Sequence, residues 1–131
     1  MVVSIDHMAI WPYKIAVELT FSRNVLVAMK PDDFKERARI GKALSHPARL
    51  LIISVLLDKG DQCVGDLVKL VGSDQSTVSK HLAVLKSVGI VEDRREGSRV
   101  VYRLLTPCVK KFFECVEGVR KAQIKRMGGK A

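Results

Sequence analysis

Between residues 31 and 89, apolar positions recur at the spacing of amphipathic helices. Pro31 and the two acids after it predict the start of a first helix, and His46-Pro47 predicts its end. A second helix is predicted over 48–57 and a short third over 64–71, each followed by a glycine turn. A fourth helix is predicted to begin after Ser73-Asp74, which can cap its first turn. Its apolar positions lie four, three and three residues apart, as in an amphipathic helix: Val78, Leu82, Leu85 and Val88.

Beyond Gly89 the apolar period shortens to two, which is typical of strands. Residues 90–95 and 99–104 are two such runs with Gly97 in the turn between them, so a β-hairpin is predicted. Thr106 as cap and Pro107 at the first position predict a last helix, which Gly128-Gly129 ends. Its apolar side is formed by Val109, Phe112, Phe113, Val116 and Val119. The expected fold class is therefore α+β and mostly α.

The length of 131 residues provides room for one domain of ordinary size. A hydrophobic share of 47% beside 28% charged residues is enough for a core and excludes wholesale disorder. Residues 1–30 show no persistent helical or strand spacing of apolar residues, so an N-terminal extension is expected there. The pattern does not tell whether this extension is ordered or disordered. Residues 31–127 are expected to form the folded domain and 128–131 a short tail.

The net charge of +9 favours a polyanionic partner, either nucleic acid or an anionic membrane surface, and residues 73–131 hold +7 of it. No apolar run reaches the ~18 residues that span a bilayer, and the N-terminus lacks a secretory signal pattern. We therefore expect a cytoplasmic protein without a membrane partner. The absence of a Gly-rich phosphate loop, an H-E-x-x-H motif and a nucleophile elbow argues against an enzyme.

The short third helix, the turn at Gly72-Ser73 and the fourth helix have the order of a helix-turn-helix, and the hairpin after them that of a wing. A helix inserted into the major groove needs short donors and acceptors in its first turns. The fourth helix supplies these candidate DNA contacts: Gln75, Ser76, Thr77, Ser79 and Lys80. Near the hairpin tip, the candidates for the DNA backbone or minor groove are Arg94, Arg95 and Arg99. The alternative for each residue is a helix cap or a solvated turn.

Three parts of the chain resemble a known family: residues 43–50 (ALSHPARL), 76–86 (STVSKHLAVLK), and the pair 89–91 (GIV) with 95–104 (REGSRVVYRL). They resemble the leading motif, the recognition helix and the wing of the ArsR (arsenic-repressor-like) regulators. The resemblance implies a winged helix-turn-helix and a homodimeric, ligand-responsive repressor that binds double-stranded operator DNA. It places the first and last helices in the dimer interface, although Phe112 and Phe113 could instead face their own core. For His81, on the recognition helix, a phosphate contact and a packing or capping role are both open.

The three cysteines are too few for a disulfide framework. The family resemblance suggests two kinds of metal site. One is a Cys-x-Cys pair at the start of the third helix that binds thiophilic ions; Cys63 matches its first cysteine, but Gly65 replaces the second. The other is a zinc site on the last helix, whose four aligned positions are Thr106, Cys108, Val119 and Ala122. This zinc site is rejected because, of these four residues, only Cys108 can bind zinc.

A thiol site formed by Cys63, Cys108 and Cys115 remains as the candidate metal site. The last two lie two helical turns apart, about 10.5 Å along a regular helix, so they cannot chelate one ion alone unless the first turn frays or a dimer adds Cys63. Three soft thiolates suit arsenite, As(III), or another soft metal or metalloid. The predicted function is a repressor released by such an inducer, with no cofactor for DNA binding. The alternatives are a thiol redox or persulfide switch, simple packing of the cysteines, and a non-specific architectural DNA-binding protein.

Overall fold

A computed structural model describes residues 30–128 of the chain. The helices are α1 (Pro31–Leu44), α2 (Pro47–Lys59), α3 (Val64–Val71), α4 (Gln75–Ser87) and α5 (Val109–Arg126), and the strands are β1 (Gln62–Cys63), β2 (Val91–Glu96) and β3 (Arg99–Leu104). The described residues fall into two compact units, Lys30–Pro107 and residues 108–128. Apart from Lys30, the predicted N-terminal extension lies outside the described residues, as do residues 129–131 of the predicted tail.

Local hydrogen bonds explain where the first two helices begin: α1 at Pro31, as predicted, and α2 at Pro47, one residue earlier than predicted. The amide of Lys30 donates to the carboxylate of Asp33 at 2.8 Å, which satisfies one of the free amides at the start of α1. Pro47 is the first residue of α2, and the Nδ1 atom of His46 accepts a hydrogen bond from the Ala48 amide at 3.1 Å. The imidazole of His46 thus caps the first turn of α2, with Nδ1 as the acceptor nitrogen.

The sheet contains three antiparallel strands in the order β1-β3-β2. Strands β2 and β3 form the predicted hairpin, in which Val91 lies opposite Leu104 and Glu96 lies opposite Arg99. Strand β1 pairs Cys63 with Val101 and was not predicted from the sequence. A strand of two residues has no period of its own, so it is recognisable only through the partner strand with which it pairs.

The core of the unit Lys30–Pro107 lies where α2, α3, α4 and the sheet meet. Its fully buried side chains include Ile52, Ile53, Leu67, Leu82 and Leu85. Every buried side chain that the structure describes is apolar. Burial of each such Leu or Ile contributes about 1.5–3 kcal/mol relative to its exposure to water. This burial holds the apolar side of α4 against the core and leaves its polar side to solvent.

The last helix, α5, begins two residues later than predicted. Pro107 and Cys108 form a turn, and Val109 is the first helical residue. The amide of Lys111 donates to the carbonyl of Cys108 at 3.0 Å, a bond between positions i and i+3 that is typical of the tighter turn at a helix end. The prediction that Thr106 caps this helix is therefore wrong by two positions.

No single helix among residues 30–128 is long and apolar enough to cross a membrane. Helices α1 and α2 meet the requirements of length and composition only as a pair, and they are bent by 85° at their junction. Within α2, the apolar side chains of Ile52 and Ile53 are buried in the core described above.

Candidate nucleic-acid interface

The first turns of α4 present most of the predicted DNA contacts to solvent. Gln75, Ser76, Ser79 and Lys80 are exposed, whereas Val78 is fully buried. A helix repeats every 3.6 residues, so burial of one side necessarily turns the intervening polar positions outward. These four side chains therefore form one polar surface that base edges and phosphates can reach. We call these four residues the polar surface of α4.

Thr77 is half-buried and takes part in the cap of α4. Its amide donates to Asp74 Oδ1 at 2.7 Å, and its hydroxyl donates to Asp74 Oδ2 at 2.9 Å. The bonds from this amide and this hydroxyl lower the pKa of Asp74, so its carboxylate stays ionised at neutral pH. The cap fixes the first turn of the helix. A DNA contact by Thr77 stays a prediction, and it would require the hydroxyl to leave Asp74.

Arg94 of the hairpin is held by two carboxylates. Its guanidinium donates to Glu96 Oε1 at 2.9 Å and to Asp61 Oδ2 at 3.2 Å. All three side chains are partly exposed, so water and salt weaken these ion pairs and a DNA phosphate can compete for the arginine. Arg95 is exposed, and because neighbouring strand residues point to opposite faces, it is directed away from the side of Arg94.

A groove of about 410 Å³ lies between the start of α3, the start of α4 and the hairpin tip. In it, Arg99 Nη2 donates to Cys63 Sγ at 3.2 Å, and the same sulfur lies 2.9 Å from Asp66 Oδ2. Gln75 and Lys69 also line this groove. The fold therefore places a predicted inducer residue, Cys63, beside two predicted DNA contacts, Arg99 and Gln75.

The surroundings of Cys63 do not by themselves form a metal site. Among residues 30–128, no group of three or more His, Cys, Asp or Glu side chains is arranged to hold a metal ion. Cys63 is half-buried, whereas Cys108 and Cys115 are exposed in the described residues. The thiol site on the three cysteines stays a prediction.

His81 lies on α4 and contacts the junction of α1 and α2. Its ring centroid is 4.3 Å from that of His46, and its Nδ1 atom is 3.4 Å from Arg49 Nη1. Burial, together with the nearby His46 and Arg49, lowers the pKa of His81 and keeps the ring neutral at physiological pH. The packing role considered for His81 thus has identified partners, while its phosphate contact stays a prediction.

The sequence patterns did not single out Arg49, Asp61 or Asp66, which contact predicted site residues. Arg49 lies inside the motif of residues 43–50, but its partner His81 is on a different helix. The two aspartates flank Cys63 and pair with arginines of the hairpin. The negative charge of Asp61 and Asp66 was a usable signal, because acidic side chains are attracted to the arginines of a basic hairpin wherever the fold brings them close.

Comparisons with known proteins agree with this geometry. The family model described as "Bacterial regulatory protein, arsR family" matches residues 46–93. The biofilm growth-associated repressor of Xylella fastidiosa is 39% identical over 85 residues, which cover 62% of this chain and 74% of that protein. A homologue of the cadmium resistance transcriptional regulatory protein CadC from Staphylococcus aureus is 40% identical over 77 residues, covering 59% and 64%. A solved homodimeric winged helix-turn-helix DNA-binding domain from Mycobacterium bovis has a TM-score of 0.63 at 32% identity, covering 76% of this chain and 94% of that one.

A helix with an exposed polar surface that follows a glycine turn and precedes a β-hairpin defines a winged helix-turn-helix DNA-binding protein. The chain belongs to the ArsR family of bacterial transcriptional regulators. The predicted fold class and the family resemblance are confirmed. The prediction that the protein is not an enzyme is confirmed as well, since the family and the relatives named above are transcriptional regulators.

Proposed function

We propose that this protein is a homodimeric, cytoplasmic repressor that binds a two-fold symmetric operator and leaves it when a thiol-reactive inducer binds. The observation that carries the proposal is the exposed polar surface of α4 beside the arginines of the hairpin. The name of the Xylella fastidiosa relative, a repressor, supports the direction of the regulation.

In this proposal α4 enters the major groove with its first turns. The short side chains of Gln75, Ser76 and Ser79 reach base edges, and Lys80 neutralises a phosphate. Free amides at the start of the helix add to the attraction for phosphate. The hairpin arginines follow the DNA backbone. In a homodimer the two recognition helices enter successive major grooves about 34–36 Å apart, so the operator is expected to be an inverted repeat.

The partner proposed for α5 is a second copy of the chain. On this helix of 18 residues, Phe112, Val116 and Val119 are between 38% and 44% exposed. They are spaced four and three residues apart, so they lie on one side of the helix. Exposed apolar side chains in such a row are typical of an interface. The relative from Mycobacterium bovis, described as homodimeric, supports the same assembly.

The proposed inducer is arsenite or another soft metal or metalloid, with the thiols of Cys63, Cys108 and Cys115 as candidate ligands. The cadmium resistance regulator among the relatives supports a soft ion. Cys63 supplies a route from inducer to DNA, because its sulfur accepts a hydrogen bond from Arg99. A ligand on that sulfur competes with Arg99 for the sulfur lone pairs, and it shifts the arginine from its position beside Cys63 and Asp66. Oxidation or persulfidation of the thiol is the alternative signal, and it would change the geometry of the same hydrogen bond.

The DNA-binding part of the proposal is tested with the reduced protein and two labelled duplexes of equal length at one salt concentration. One duplex is the promoter of the protein's own gene, and the other has the same bases in scrambled order. The repressor is expected to prefer its operator by a factor of about 10³ or more. Equal affinity for both duplexes would contradict the proposal and favour the non-specific architectural protein.

The inducer part is tested by adding arsenite to the protein–operator complex. Release is expected for the wild type and is expected to be lost or weakened in Cys63→Ser, Cys108→Ser or Cys115→Ser. Separate arms with hydrogen peroxide and with a polysulfide identify the redox and persulfide alternatives. If all three serine variants release DNA as the wild type does, the thiol site is wrong, while the assignment as a repressor is unaffected.

A further inference from the structure

Arg49 connects three separate parts of the fold. It lies in the first turn of α2, and its Nε donates to the carbonyl of Ala43 near the end of α1. Its Nη2 donates to the carbonyl of Lys42 at 3.2 Å, and its Nη1 lies 3.4 Å from Nδ1 of His81 on α4. One half-buried guanidinium therefore contacts the end of α1 and the middle of the recognition helix at the same time.

The chemistry of these partners suits an arginine. The last carbonyls of a helix have no partner within the helix, so Lys42 and Ala43 offer free acceptors. The guanidinium is planar and carries five donors, which lets it serve two carbonyls and an imidazole from one position. His81 must be neutral to accept, and its pKa is lowered in this environment. The ring of His46, a second titratable group at this cluster, is tilted by 43° to that of His81, with the two centroids 4.3 Å apart.

We propose that Arg49 is a positioning residue for the recognition helix: it ties α4, through His81, to the end of α1 and so sets the orientation in which the polar surface of α4 meets the operator. The inference rests on the proposed operator binding, and it assigns a residue outside that surface. Arg49 acts through His81 and contacts no DNA. Its loss changes how well α4 fits base edges and leaves the number of phosphate contacts unchanged.

Salt dependence separates this role from a direct DNA contact. Each phosphate that a side chain neutralises adds about 0.9 to the magnitude of the negative slope of log affinity against log salt concentration, and a homodimer doubles this to about 1.8. Replacement of a phosphate-binding arginine lowers the magnitude of this slope. A positioning arginine, when replaced, lowers the affinity for the operator at every salt concentration and leaves the slope as it is in the wild type.

The test compares Arg49→Gln with Arg37→Gln, a matched control. Arg37 is exposed on α1 and donates to the carbonyl of Asp33 within its own helix, so its replacement removes the same charge and no link to α4. We expect Arg49→Gln to bind the promoter duplex about tenfold more weakly than the wild type, with an unchanged salt slope. Its affinity for the scrambled duplex is expected to equal that of Arg37→Gln.

A second comparison uses His81. In a His81→Gln background, Arg49→Gln is expected to weaken operator binding by a smaller factor than it does in the wild type, because part of the link is already missing. Arg49→Lys keeps the charge but cannot reach both carbonyls and the imidazole, so it is expected to remain weaker than the wild type. This variant replaces Arg49→Gln if thermal denaturation shows that the glutamine variant is unfolded at the assay temperature.

Three results would overturn the inference: an operator affinity of Arg49→Gln equal to that of the wild type, a salt slope lowered by about 1.8, or an equal loss in Arg37→Gln. Failure of the proposed function is a different outcome, since the wild type itself would then show no preference for the promoter duplex.

Discussion

Replacement of Lys80 by alanine is predicted to lower the salt dependence of operator binding by a defined amount. Lys80 is exposed on the polar surface of α4, and a homodimer presents it twice. Each lysine that neutralises a phosphate contributes about 0.9 to the slope of log affinity against log salt concentration. Loss of both copies is therefore expected to reduce the magnitude of the slope by about 1.8.

The slope of the wild type is bounded by the same reasoning. If only Lys80 and Arg95 contact phosphate in each protomer, the four contacts of the dimer predict a slope of about −3.6. If Arg94 and Arg99 also exchange their carboxylate partners for phosphate, eight contacts predict about −7.2. A measured slope nearer to about −7.2 than to about −3.6 would therefore support release of the hairpin arginines from their ion pairs when DNA binds.

The assay is fluorescence anisotropy with a labelled promoter duplex at potassium chloride concentrations between about 50 and 300 mM. Lys35→Ala is the matched control, because Lys35 is on α1, 83% exposed and paired with Asp32. The control is expected to keep the wild-type slope. An unchanged slope in Lys80→Ala, or an equal reduction in Lys35→Ala, would refute the placement of Lys80 against a DNA phosphate.

Two further predictions concern stability. Leu82→Ala removes a fully buried side chain of α4 and is expected to lower the free energy of unfolding by about 2–5 kcal/mol in urea denaturation; a loss below about 1 kcal/mol would contradict the packing described for this residue. Acidification from about pH 7.5 to 5.5 is expected to lower the Tm. The pKa of His81 in the folded protein lies below its ordinary value near 6.5, so the unfolded chain takes up the proton first as the pH falls. In His81→Gln the decline in Tm over this range should be smaller, and a decline as steep as that of the wild type would exclude His81 as its source.

Most of the fold follows from patterns within a few residues. The apolar spacing over 78–88 requires only that a helix bury one side, and the glycines at 72 and 97 require only a local turn, so α3, α4 and the hairpin lie where they were predicted. The two differences lie where local signals end. Strand β1 exists through its pairing with β3, and the tight turn at Pro107 and Cys108 delays the start of α5 by two residues.

The partners of the charged side chains depended on contacts between distant parts of the chain. Arg99 and Cys63 are 36 positions apart, and Arg49 and His81 are 32 apart. A hydrogen bond requires its two atoms to lie about 3 Å apart, and no periodic pattern relates positions at such separations. The amino-acid sequence was therefore sufficient for the fold class, the family and the helix that carries the candidate DNA contacts. The link from Arg49 to that helix, and the contact of a hairpin arginine with Cys63, arose only when the packed core brought α2, α3, α4 and the sheet together.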